Sequence, residues 1–152
     1  MITKETIQTR FHGTITISST DILTLDQEIL GFPQHRQFIL LPHHPESPFL
    51  YLQSITDPQL AFIVIDPLTV KADYAVPDQD VAGLGNREFW AMLCLCTVSR
   101  QQPDQGLVAT CNLKSPVIIN RQTRHGGQFV LSLPYSFAYP LFGGDQKDAG
   151  TQ

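Results

Sequence analysis

Two apolar runs joined by a short polar turn stand out between Phe49 and Pro67 (FLYLQSITDPQLAFIVIDP), and the pattern predicts a central β-hairpin. In the first run Phe49, Tyr51 and Ile55 share one parity with Gln53, while Leu50 and Leu52 share the other with Ser54, so both faces are mostly apolar. The second run, Leu60 to Ile65, has no polar position and predicts a strand covered on both sides. Between them lies Thr56-Asp57-Pro58-Gln59. An Asp side chain can bond its own backbone two residues on, and a Pro presets φ for the first central position of a type I turn. A hairpin alone is unstable in water, so the remaining segments must supply its neighbours and its cover.

Upstream, Phe11, Gly13, Ile15 and Ile17 alternate with His12, Thr14, Thr16 and Ser18, which predicts an antiparallel or edge strand with one wet face. Ile22 to Leu25 and Phe38 to Leu41 read as further short strands, with Asp26 and Glu28 in solvent. In Ile29-Leu30-Gly31-Phe32-Pro33, Pro33 pushes Phe32 toward an extended backbone and pins it. Pro42 to Pro48 is a loop, because Pro removes three donors within seven residues.

Downstream, Val70 to Tyr74 alternates enough for a short strand, and Pro77 to Gly85 reads as the one short helix, with acids at its start and Gly85 to end it. Periodicity leaves Phe89 to Val98 (FWAMLCLCTV) open between helix and buried strand, and the β pattern around it favours strand. Leu107 to Asn112, Pro116 to Asn120 and Gln128 to Leu133 complete the strands, the last reached through a turn signalled by Gly126-Gly127. The fold class is all-β, mainly antiparallel, in one domain over residues 1–142, and the polar residues 143–152 read as a disordered tail.

Composition agrees. A chain of 152 residues can bury a core without a staple, and 10 Gly with 11 Pro favour many turns over long helices. With 14 acids against 10 bases and a pI near 5.6, the chain lacks the footprint of a nucleic-acid binder and suits a basic protein partner instead. It shows no apolar run of membrane-spanning length, and MITKETIQTR lacks a signal-peptide core, so the reading is cytoplasmic with no membrane contact. Three cysteines, an odd number, fit a reducing compartment.

Candidate chemistry changes this picture little. Cys94 and Cys96 project to one side of a strand, but no second ligand pair follows to complete a zinc site, so they read as core thiols. Cys111 with His125 lacks an orienting group and an oxyanion hole. His43 and His44, adjacent in an extended loop, are expected to point apart. Asp26 with Glu28, and Asp78 with Asp80, read as solvated acids away from any substrate pocket, and Gly83-x-Gly85 lacks the context of a phosphate loop. No catalytic residue, cofactor site or metal site is assigned. Asp66, at the end of the most apolar strand, must reach water or find donors, by capping the next turn or by meeting a partner. Asp66, Asp73, Tyr74, Asp78 and Asp80 are the candidate protein-binding residues.

Several stretches resemble, in order, the flagellar assembly factor FliW family. They are Ile29-Leu30-Gly31-Phe32-Pro33, Pro48 to Ser54 (PFLYLQS), Leu60 to Pro67 (LAFIVIDP), Asp73-Tyr74, and Cys111 to Asn120 (CNLKSPVIIN) with Gly127-Gln128. The resemblance runs from about Phe11 to Leu141 and implies a small antiparallel β-barrel-like domain without catalytic residues or cofactor. It implies that the chain binds newly made flagellin and, when free, binds the translational regulator CsrA and relieves repression of flagellin messenger RNA. The sequence departs from the family pattern at Phe11-His12-Gly13-Thr14, where Phe-Gly and then an acid are usual, at Leu25, where an aromatic is common, and in its cysteines. Two rival readings are a small β-barrel ligand-binding domain and a general export chaperone.

Overall fold

Strand follows strand, with one long crossing between Ile65 and Trp90, in the computed structural model, which describes residues 2–100 and 106–142. The strands are β1 (Lys4–Gln8), β2 (Thr14–Ser18), β3 (Leu23–Gln27), β4 (Gln37–Pro42), β5 (Phe49–Ser54), β6 (Ala61–Ile65), β7 (Trp90–Arg100), β8 (Leu107–Cys111), β9 (Val117–Asn120), β10 (His125–Gln128) and β11 (Tyr139–Phe142). The hairpin β5–β6 sits in the middle of the larger sheet, with Tyr51 opposite Ile63 and Leu52 opposite Phe62. Its turn forms as the sequence predicts: the Leu60 amide reaches the Asp57 carbonyl at 3.1 Å, and the Gln59 amide donates to the Asp57 side chain at 3.0 Å.

The sheet closes because β7 is long enough for two partners on one edge. Trp90 to Leu93 pair with β9 and Cys96 to Arg100 pair with β8, while Cys94 to Cys96 pair with β6 on the other edge. β9 pairs with β10, and β10 returns to β3 by a parallel pairing. The ring β3–β4–β5–β6–β7–β9–β10 is therefore a barrel, antiparallel except at β3–β10. β8 and β11 extend from it as a flap, and β1–β2 form a separate hairpin.

Parity sorts the hairpin residues between two cores. Leu52 and Val64 point into the barrel with Leu25, Phe38, Val117 and Ile119, backed by Leu50 and Phe62. Phe49 and Ile65 point outward and join Cys94, Cys111, Leu113 and Leu131. The β1–β2 hairpin covers a third patch through Ile7 and Ile17 on Ile39. This is why both faces of the central strands are apolar: filling the barrel uses one face, and outer layers cover part of the other, leaving Tyr51 and Ile63 half-buried. Phe32 packs edge-on to Phe62 at 4.9 Å against the barrel core.

Several sequence expectations need correction. Val70 to Tyr74 is not a strand; a 3₁₀ turn at Pro67–Thr69 and further turns occupy that stretch. The helix expected over Pro77 to Gly85 is a single 3₁₀ turn, Asp78–Asp80, because the backbone leaves helical dihedrals at Val81 (φ −132°, ψ 46°), and Gly83 and Gly85 beyond it take positive φ that no right-handed helix could continue through. Gly126 and Gly127 are not a turn but the middle of β10, and the turn before them is made by residues 121–124 with Arg124 at φ 67°. Gln128 to Leu133 is strand only at its first residue. The expected strand at Phe11 to Ser18 starts at Thr14, and its partner β1 carries one buried residue, Ile7, too weak a pattern to read. The tail 143–152 lies outside the described residues.

Candidate docking surface

The segment from Asp66 to Phe89 crosses the outside of the barrel and carries the predicted acids. Asp66 leaves β6 and turns the chain: its carboxylate accepts from the Leu68 amide at 2.9 Å, and the Thr69 hydroxyl donates to its carbonyl at 2.6 Å. Pro67 at the first position of the turn suits that cap. Asp73 is exposed and pairs with Lys71 at 3.1 Å, whose hydrogen bond and positive charge hold its carboxyl below the usual range. Asp78 pairs with Arg87 at 2.7 Å, and the Arg87 guanidinium lies 4.6 Å from the centre of the Trp90 ring. Asp80 accepts from the amide and hydroxyl of Ser132 at 2.8 and 2.9 Å.

Tyr74 does not share that exposure. It is buried, donates to the Leu113 carbonyl at 2.7 Å and stacks on Tyr135 at 4.7 Å, and loss of water around it pushes its phenol upward. It anchors the crossing segment to the outer core rather than facing a partner. Each of the four Asp residues is thus tied down locally, which fixes where its charge sits. Residues 66–89 hold five acids against Lys71 and Arg87, so the segment stays net negative after pairing.

A second feature escaped the sequence because its parts come from separate strands. Phe49, Tyr51, Ile63, Val98, Leu107 and Phe142, with His43 at the rim, line an open furrow of about 200 Å³ on the outer face. It lies between the two outer covers, where the outward parity of the hairpin finds no lid; Phe11 stacks on Tyr51 at 4.4 Å at one end. The volume is below the roughly 300–1,000 Å³ of small-molecule pockets.

The remaining candidates separate. Asp26 and Glu28 do border an open depression of about 540 Å³, contrary to expectation, but Asp26 engages His125 at 3.0 Å and Glu28 engages Arg36 at 2.9 Å. His125 is therefore committed to Asp26 and not to Cys111. The rings of His43 and His44 lie 4.4 Å apart rather than diverging, and His43 bonds Ser47 at 2.8 Å. Among the described residues no three His, Cys, Asp or Glu side chains converge as a metal would require. Cys94 and Cys111 are buried and Cys96 half-buried. Burial raises all three thiols, Cys96 to about 12 and Cys111 to about 11, so they are protonated packing groups at neutral pH.

The FliW protein family model matches residues 5–141, the barrel together with its covers and flap. The chain belongs to the FliW family. The flagellar assembly factor FliW of an Exiguobacterium species is 36% identical over 139 residues, covering 90% of this chain and 94% of that protein. The flagellar assembly factor FliW of Magnetococcus marinus is 36% identical over 137 residues, 88% of this chain and 82% of its own length. A crystal structure of the flagellar assembly factor FliW superposes with a TM-score of 0.76 at 30% identity, covering 93% of this chain and 99% of that one. The FliW resemblance read from the sequence motifs and the FliW likeness of the fold thus meet in one family. No helix among the described residues is long and apolar enough to cross a membrane.

Proposed function

We propose that this chain is a non-enzymatic, cytoplasmic flagellar assembly factor that binds flagellin and, when free of it, binds a CsrA-type translational regulator and relieves repression of flagellin messenger RNA. The observation that supports it is the FliW family match, which spans residues 5–141. The chain's net charge of −4 argues that any control of RNA is exerted through a protein.

Asp66, Asp73, Asp78 and Asp80 supply the charge by which the regulator is captured. A basic RNA-binding protein, which the family resemblance implies for CsrA, is drawn to the net negative crossing segment, and the local pairs hold those carboxylates in a fixed array. Tyr74 serves by fixing the segment from beneath.

The test is size-exclusion chromatography of the purified chain with purified flagellin and, separately, with the purified CsrA-type regulator. Both should co-elute with it. Absence of both complexes from folded protein would overturn the proposal, and complexes with several unrelated exported proteins would point instead to a general export chaperone.

A further inference from the structure

Cys96 on β7 and Cys111 on β8 are direct antiparallel partners. One residue outward on each strand, the Asn112 amide donates to the Leu95 carbonyl at 2.9 Å. That bond places Cys96 and Cys111 at a pair position without mutual hydrogen bonds, where partner Cα atoms stand about 4.5 Å apart and both side chains leave the same face. A disulfide spans Cα separations of about 4.4–6.8 Å, so the two sulfurs can bond without moving the strands. Cys94 is close but badly placed. Two residues along β7 from Cys96 it lies about 6.7 Å away with a parallel side chain, and it is diagonal to Cys111 at roughly 7–8 Å. All three thiols share the outer core, and there the Tyr74 hydroxyl engages Cys94.

We propose that Cys96 and Cys111 form a selective cross-strand oxidation site, closed to a disulfide by exchange with a small dialkyl disulfide while Cys94 stays a thiol. Cys96 is the half-buried member and Cys111 is 1% exposed, so the oxidant meets Cys96 first. The Cys96 thiolate attacks one sulfur of the small disulfide and expels one thiolate, leaving a mixed disulfide on Cys96. The Cys111 thiolate then attacks the Cys96 sulfur and expels the second. The protein loses two electrons and two protons, and the oxidant becomes two thiols.

Burial keeps the pair protonated at neutral pH, so closure is slow there and quickens as pH rises. Once formed, the bond ties the β8–β11 flap to the barrel strand β7 through a covalent link in addition to the backbone ladder.

The test is incubation of the reduced full chain with oxidised glutathione at a pH of about 9, near the ordinary thiol range. Acid quench, denatured thiol counting and peptide mapping then follow. The expected product is a monomer lighter by two hydrogens, with one free thiol and a cross-link between the peptides of residues 96 and 111; its melting temperature should rise and return on reduction. Cys94→Ser should give the same link, and Cys96→Ser and Cys111→Ser should abolish it. A link through Cys94, a glutathione adduct that never closes, disulfide-joined dimers, or three thiols surviving throughout would each overturn the proposal. Should a variant fail to fold, the peptide map of the unmutated chain decides alone.

Discussion

Gly126 approaches Ile118 so closely that a Cβ built on it would stand 2.0 Å from the Ile118 carbonyl oxygen. Gly127 is held the same way, with an added Cβ 2.3 Å from the Cβ of Gln27. The two glycines are what let β10 lie between β9 and β3 and close the barrel.

Gly126→Ala should therefore destabilise the fold by about 3 kcal/mol or more, because the obstacle is backbone that cannot swing aside. Gly13→Ala is the control: its φ is +65° but nothing lies within 4 Å, so the cost should be about 1–2 kcal/mol of backbone strain alone. Urea melts of both variants check this, and equal losses would show that barrel closure does not depend on Gly126.

Phe38 is fully buried and Phe62 only partly so, although both rings stack at 6.0 Å. Phe38→Ala should cost about 3–5 kcal/mol, the range for emptying a large core site. Phe62→Ala should cost less, because part of the cavity opens to water. Denaturant titration of the two variants tests the order.

The chain should lose stability in alkali. Burial holds the Cys96 and Cys111 thiols up to about 12 and about 11, against an ordinary value of 9.0, and raises Cys94 in the same direction. Their contribution is complete below the unfolded value and is lost as pH rises from 9.0 through those folded values, since the unfolded chain releases its protons first. Tyr74 acts in the same sense above its ordinary value of 10.0. Melting temperatures measured under reducing conditions from neutral pH upward should fall over that window. Replacing the three cysteines together by alanine should flatten the first part of the fall.

How much of this was legible in the chain depends on what each residue's role requires. The hairpin and its turn were readable because Asp57 and Pro58 act locally and the apolar runs act by parity. Asp66 was readable as a cap for the same reason. Gly126-Gly127 misled because a glycine needed for close approach looks the same in sequence as one needed for a turn. β1 and β11 were missed because Lys4–Gln8 buries one residue and Tyr139–Phe142 contains Pro140, which a strand tolerates only at an edge. Tyr74 neighbours the acids only in sequence, whereas its hydrogen bond to Leu113 spans 39 residues and only the fold shows it.

The acidic segment carries a kinetic prediction. Asp73→Lys with Asp78→Lys reverses two exposed charges whose partners are Lys71 and Arg87. Association with the CsrA-type regulator should slow by roughly tenfold at low salt, and the difference should shrink as ionic strength passes about 0.15 M. Stopped-flow binding at two salt concentrations, beside a thermal melt, separates lost steering from lost stability.

The coupling of flagellin supply to translation is tested by a competition in which flagellin is titrated into a preformed complex of this chain with the CsrA-type regulator, followed by the regulator's binding to a flagellin messenger leader. The chain alone should strip the regulator from the RNA, and flagellin should restore RNA binding in proportion to the flagellin added. If the regulator stays on the RNA when the folded chain is in excess, or if flagellin leaves the captured regulator untouched, the proposed coupling of flagellin supply to its translation is contradicted.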